Sequence, residues 1–172
     1  NFFFENIDGK YKEHSVKFGL KDYGVGRGSA IFDLENDGDM DLIVVSQKPI
    51  MEYGPPSITR LYRNDVKEGH YLQVKLKGKA STLSAFGARI QVFSDSLFIN
   101  HEIDGGNTSH LSHNSTLAHF GLGKRETVDS IKVIWPSGET TKIDKIQTNQ
   151  RIFIEETQEF KRKNSTVYWW II

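Results

Sequence analysis

Three observations predict an all-β protein. Short runs rich in Val, Ile, Phe and Tyr alternate with polar residues, Gly, Asn and Asp break those runs at close intervals, and no stretch keeps a helical period over three turns. Phe2 to Glu5, Asn6-Ile-Asp-Gly-Lys10 and Tyr11 read as strand, turn and strand, because Asp-Gly supplies the positive φ angles of a tight hairpin. A short turn around Ser15 to Leu20 is the one helical candidate. Ser29-Ala-Ile-Phe32 and Asp41-Leu-Ile-Val-Val-Ser46 read as strands on either side of an acidic loop. Lys48 to Ser57, with Pro49, Pro55 and Pro56, reads as an irregular connection, and Leu61 to Asn64 follows it.

Beyond residue 65 the strands come more densely. They are Tyr71–Leu76, Ala88–Phe93, Ser96–Ile103, Ser130–Trp135 and Gln150–Glu155. Leu72, Val74 and Leu76, like Ile131, Val133 and Trp135, put apolar residues on one side of a strand and polar ones on the other. A sheet with one buried face requires that alternation. The chain therefore divides into residues 1–64, residues 65–156 and a tail, 157–172. The tail sets Lys161-Arg-Lys163 before Val167-Tyr168-Trp169-Trp170-Ile171-Ile172. It reads as a final covered strand or as a docking segment.

Bulk properties narrow the function. Lys+Arg and Asp+Glu both number 22, so there is no general attraction to nucleic acid or to an acidic membrane surface. The absence of cysteine excludes disulfides, thiolate metal sites and a Cys nucleophile. No apolar run approaches the ~20 residues of a membrane helix. The start at Asn1, without Met or a charged-then-apolar leader, reads as a piece of something longer.

The strongest chemical signal is Asp33-Leu-Glu-Asn-Asp-Gly-Asp-Met-Asp41. Asp33, Glu35, Asp37, Asp39 and Asp41 concentrate like charge that a cation would neutralise, and calcium accepts six to eight oxygens at flexible geometry. The spacing opens like an EF-hand loop, but Val44 stands where an EF-hand places its bidentate Glu, and the flanks are strands. The expectation is one Ca2+ held by the side chains of Asp33, Asp37 and Asp41 and the main-chain carbonyl of Asp39. Glu35 is expected to reach it directly or through water. A saturated carboxylate cage leaves no open position for substrate, so the ion is expected to be structural.

Asn6-Ile-Asp-Gly-Lys-Tyr11, Phe18-Gly-Leu-Lys-Asp-Tyr-Gly-Val-Gly-Arg-Gly28 and Ala30 to Val44 together resemble an FG-GAP or VCBS-type repeat. The resemblance implies a β-propeller-type blade with a calcium loop. Residues from about Gly69 to Glu156 resemble the ASPIC/UnbV domain of proteins related to cartilage acidic protein. The stretches that carry this are His70 to Gly78, Phe86-Gly-Ala-Arg-Ile-Gln-Val92, His119-Phe-Gly-Leu-Gly123, Val128 to Gly138 and Asn149-Gln150. It implies a β-sandwich or barrel-like second domain of about eight strands, and a secreted or cell-surface protein. One visible calcium repeat implies that neighbouring blades lie outside this chain.

Other motifs carry less. Gly24-Val-Gly-Arg-Gly28 lacks the full phosphate-loop spacing and a following helix, and reads as the loop before the calcium strand. His101, His110, His113 and His119 are scattered without a helix to fix their spacing, and His119 is expected to pack on a strand. The polar loop Asp104–Thr116 offers hydroxyls and amides to a glycan, with Tyr71, Phe98 or Trp135 as stacking platform. Ser109, His110 and Asp104 form no triad, for want of a nucleophile elbow. Asn107, Asn114 and Asn164 match the glycosylation pattern. The function expected is a non-enzymatic, calcium-stabilised surface module that binds a protein or glycan. The alternatives are the C-terminal part of a propeller enzyme with its catalytic groups elsewhere, or an outer-membrane accessory subunit docking through its aromatic tail.

Overall fold

A computed structural model describes residues 2–22, 24–47, 58–66, 68–104 and 112–157. Among these residues there are twelve strands and no helix. The chain forms two compact units: residues 1–69 with 105–115, and residues 70–104 with 116–172. The division falls after Gly69, and the segment 105–115 groups with the first unit. The tail beyond residue 157 lies outside the described residues.

In the first unit, β1 (Phe4–Ile7) and β2 (Lys10–Glu13) form an antiparallel hairpin in which Ile7 faces Lys10. Asp8 (φ 52°) and Gly9 (φ 79°) make its two-residue turn, and Asn6 Oδ1 accepts the Gly9 N–H. Residues 15–19 form hydrogen-bonded turns, with Leu20 N–H donating to the Ser15 carbonyl. Strands β3 (Val25–Phe32), β4 (Asp41–Gln47) and β5 (Arg60–Tyr62) form an antiparallel sheet in that order. The segment Val25–Gly28, read above as a loop, belongs to β3 and carries a bulge between Gly26 and Gly28. Glycine fits there because a bulge departs from ladder geometry.

This unit has little core. Among its described apolar side chains only Val44 is buried, at 9% exposure, while Phe2, Phe4, Phe18, Ile31, Val45 and Leu61 are exposed.

The second unit is a β-sandwich of seven strands: β6 (His70–Lys77), β7 (Arg89–Ser94), β8 (Leu97–Glu102), β9 (Leu117–Gly123), β10 (Thr127–Ile134), β11 (Thr140–Gln147) and β12 (Gln150–Glu155). One sheet runs β11-β10-β7-β8 and the other β12-β6-β9. Leu72, Val74, Leu76, Ala118, Phe120, Leu122 and Ile154 from the three-stranded sheet share one core with Ile90, Val92, Ile131 and Val133 from the four-stranded sheet. Burying a Val, Leu, Ile or Phe side chain contributes roughly 1.5–3 kcal/mol, so this cluster dominates the unit's stability. Trp135 is buried in the same core and its Nε1–H donates to Thr141 Oγ1 at 2.8 Å.

Two polar devices complete the sandwich. β12 pairs parallel to β6, with Ile152 opposite Val74. Asn149 (φ 57°) begins that pairing: its N–H donates to the Tyr71 carbonyl at 2.7 Å and its Oδ1 accepts the Tyr71 N–H at 3.2 Å. Asn tolerates the left-handed backbone while offering those side-chain atoms. At the other end of β12, Glu156 is fully buried. Its carboxylate accepts the N–H groups of Lys79 and Ser81 at 2.8 and 2.7 Å, and the hydroxyls of Ser81 and Ser137. It thus ties β12 to the loop after β6 and to the β10–β11 turn.

Burial pushes the Glu156 carboxyl up, but those donors outweigh it and hold the pKa at about 2. The folded pKa lies below the unfolded value of 4.5, so the ionised group contributes stability above that value. The contribution is lost as pH falls from about 4.5 through about 2. Glu156→Gln should destabilise the second unit by roughly 2–3 kcal/mol, because hydrogen bonds to a charged group are lost and buried donors are left poorly matched. Denaturant melts at neutral pH and near pH 3 check this: the gap between native and variant should narrow in acid.

Candidate functional site

The acidic loop joins β3 to β4, and the pairing of Phe32 with Asp41 fixes its two ends side by side. Asn36 (φ 57°) and Gly38 (φ 99°) supply left-handed turns, so five acidic residues crowd into one bend. Asp33 organises it: its two oxygens accept the N–H groups of Asp37 at 3.0 Å and Gly38 at 3.1 Å. Asp41 is fully buried, accepting the N–H of Leu34 at 2.7 Å and of Asn64 at 2.9 Å. It thereby fastens the loop to the segment after β5. Asp37 lies on the exposed side and accepts the Asp39 N–H at 3.4 Å. Glu35 turns towards Arg63, with 3.7 Å between their charged atoms, and Arg63 also pairs with Asp65 at 2.9 Å.

Asp39 is the exception. Both of its carboxylate oxygens are buried and have no hydrogen-bond partner among the described residues. Burial, then repulsion from Asp37 and Asp41, then the side-chain contact with Asp37 and the charge of Asp33, push its pKa up to about 6. The loop thus holds a buried carboxylate that no described residue neutralises. The sequence gives Asp39 a main-chain role; in the structure its side-chain oxygens are buried as well.

The five residues are not gathered into one cage. Among the described residues, no group of three or more Asp, Glu, His or Cys side chains is placed to hold a metal. The physical reason is visible in the loop. Asp33 and Asp41 face backbone donors, and Glu35 faces Arg63. Carboxylate oxygens that accept one N–H still have a second lone pair, so Asp33 and Asp41 remain able to coordinate. The donor set fits a hard, oxygen-seeking cation, and the orphaned Asp39 carboxylate is the observation that makes it fit.

The other candidates fall apart or change role. His119 packs on β9, its ring stacked on Tyr71 with centroids 5.8 Å apart. His101 packs edge-on against Phe120, and burial lowers its pKa. His110, Ser109, Asn107 and Asn164 lie outside the described residues, as does most of the polar loop 104–116. Asn114 is described, and its Oδ1 accepts the Ile31 N–H at 3.1 Å. Trp135 cannot serve as a stacking platform because the core covers it. Phe98 is exposed beside Phe93, with centroids 5.1 Å apart.

Sequence reasoning missed Glu156. Its only signal is a Glu at the end of an apolar strand, and the serines and backbone amides that justify it lie more than 18 residues away along the chain.

Fold and loop define an all-β chain: a seven-stranded sandwich accompanied by a small sheet that carries an acidic turn. Residues 78–161 match the family described as ASPIC and UnbV, which bears out that part of the resemblance. The match begins in the loop after β6 and does not include the acidic turn. Cartilage acidic protein 1 of Homo sapiens is 29% identical over 119 residues, which are 69% of this chain and 17% of that protein. The protein of the same name from Xenopus tropicalis is 30% identical over 115 residues, 67% of this chain and 17% of that protein. The matched part of this chain thus spans less than a fifth of the length of the curated relatives.

Asp39→Asn separates electrostatic strain from cation binding. In chelator the variant should melt a few degrees higher than native in the first unit, because it removes an unneutralised buried charge. In excess calcium the order should reverse. Calorimetric or fluorescence melts in the two buffers check both directions.

Proposed function

We propose that this chain is the C-terminal part of a larger extracellular or cell-surface protein, and that it serves as a calcium-stabilised, non-enzymatic binding module. The observation that carries the reading is the buried, partnerless carboxylate of Asp39 inside a loop of five acidic residues. Calcium would sit against Asp39 and Asp37, with Asp33 and Asp41 completing the shell from their second lone pairs. When bound, it supplies neutralising charge and stiffness rather than a reaction.

The FG-GAP or VCBS-type reading of residues 1–64 is supported by the first unit's exposed apolar surface. A cleft of about 390 Å3 there is lined by Phe2, Phe3, Leu20, Leu42, Val44 and Tyr62, and the Tyr62 hydroxyl is buried without a partner. A propeller-type blade separated from its neighbours would present such surface. The match to proteins named for cartilage supports an extracellular setting. Among the described residues no helix is long and apolar enough to cross a membrane. The partner class is a protein or glycan at the cell surface.

Isothermal titration with calcium, paired with thermal melts in calcium and in chelator, tests the proposal. About one ion should bind. At a hundredfold excess over the dissociation constant it should stabilise by roughly 2.7 kcal/mol, visible as a higher melting temperature of the first unit. Asp37→Ala should abolish the shift and leave the second unit's melting unchanged. Identical melts of native and variant in both buffers, with no binding heat, would sink the calcium assignment.

A further inference from the structure

We infer that the second unit contains a small-molecule site for an apolar carboxylate, in the cleft between β6, β12 and the loop that follows β6. The cleft measures about 400 Å3, within the range of small-ligand pockets. Its apolar side chains are Leu83 and Phe153, and β6 and β12 pass beneath them at Lys75–Lys77 and Phe153–Glu155. Leu83 is 70% exposed and Phe153 75%, so both present free apolar surface to whatever enters.

Charge decides the class of ligand. Lys75, on β6, lines the cleft and is partly buried, and its Nζ donates to Thr116 Oγ1. Among the described residues no carboxylate lies within ion-pair distance of it. The neighbouring acid, Glu155, is held by Lys77 at 2.6 Å and by Lys79 at 3.3 Å. Lys77 and Lys79 are thus engaged by Glu155, and the buried Glu156 is held by its own donors, whereas Lys75, the most buried of the three lysines, has the Thr116 hydroxyl as its partner among the described residues. An anion that reached this lysine would add a charge-assisted hydrogen bond to the one it makes with Thr116. An apolar body would fill the space between Leu83 and Phe153 while its carboxylate accepted hydrogen bonds from Lys75 and the Thr116 hydroxyl. An uncharged apolar ligand would leave Lys75 as it stands. A polyanion would meet Glu155.

The site lies in the second unit and needs no calcium, so its test runs in chelator and its failure leaves the calcium proposal untouched. The probe is decanoate, with decanol as its uncharged counterpart, titrated calorimetrically into the whole chain. Native protein should bind decanoate at least tenfold more tightly than decanol. Lys75→Met keeps the length and apolar character of the side chain; it should weaken decanoate at least tenfold and leave decanol within about twofold. Leu83→Glu changes an exposed residue and is not expected to disturb folding, which a melting curve confirms; it should reject decanoate by placing a like charge at the rim. No decanoate binding by native protein at millimolar concentration would overturn the assignment. So would decanoate binding to a folded Lys75→Met or Leu83→Glu chain as tightly as to native.

Discussion

Apolar side chains from two sheets meet in a single core, and that shared core places every other feature of the second unit. The inward faces of β6, β9 and β12 fill the space above those of β7 and β10. Because side chains alternate along a strand, each inward position fixes what its neighbours do outside. Lys75 and Phe153 come together on the outer side because Val74, Leu76, Ile152 and Ile154 point inward and β12 runs parallel to β6. The ligand cleft is thus a by-product of core register. A one-residue slip of β6 would turn Lys75 into the core, a slip of β12 would do the same to Phe153, and either would remove the cleft.

Where apolar packing stops, buried polar contacts take over, and the two units use them in opposite ways. Glu156 carries a charge that four donors satisfy, which makes a buried carboxylate a fastening point between three segments. Asp39 carries a charge that has no hydrogen-bond partner among the described residues, in a unit where Val44 is the one buried apolar side chain among them. The same chemistry gives a low pKa in one place and a raised one in the other, because burial raises both, while donors lower Glu156 and neighbouring carboxylates raise Asp39 further. A unit with so little core has small reserves against such strain.

Much of the fold was legible in the residues. The Asp8-Gly9 hairpin turn, the strands around the acidic loop and the alternating runs at 71–76, 88–93, 130–135 and 150–155 correspond to elements of the structure. Strands β9 and β11 were not singled out. Gly121 and Gly123 punctuate β9 in a way that reads as a breaker, and β11 is an edge strand whose Thr, Lys and Asp residues dilute the apolar signal. The glycines at 24–28 read as a loop because bulge and loop draw on the same residue. Of the candidate site, composition revealed that five acids share one loop, but not which of them would be left without a donor.

The sequence by itself determined the fold class, the place of the acidic turn and the resemblance carried by residues beyond 78, because each rests on local periodicity or on contiguous motifs. Only the tertiary structure decided that β12 lies parallel beside β6, that Glu156 meets Ser81 and Ser137, that Trp135 is covered and that Lys75 faces an apolar cleft without a counter-charge. These depend on contacts between residues far apart in the chain. Whether a buried charge is satisfied is a property of its surroundings, and the residue's own identity does not contain it.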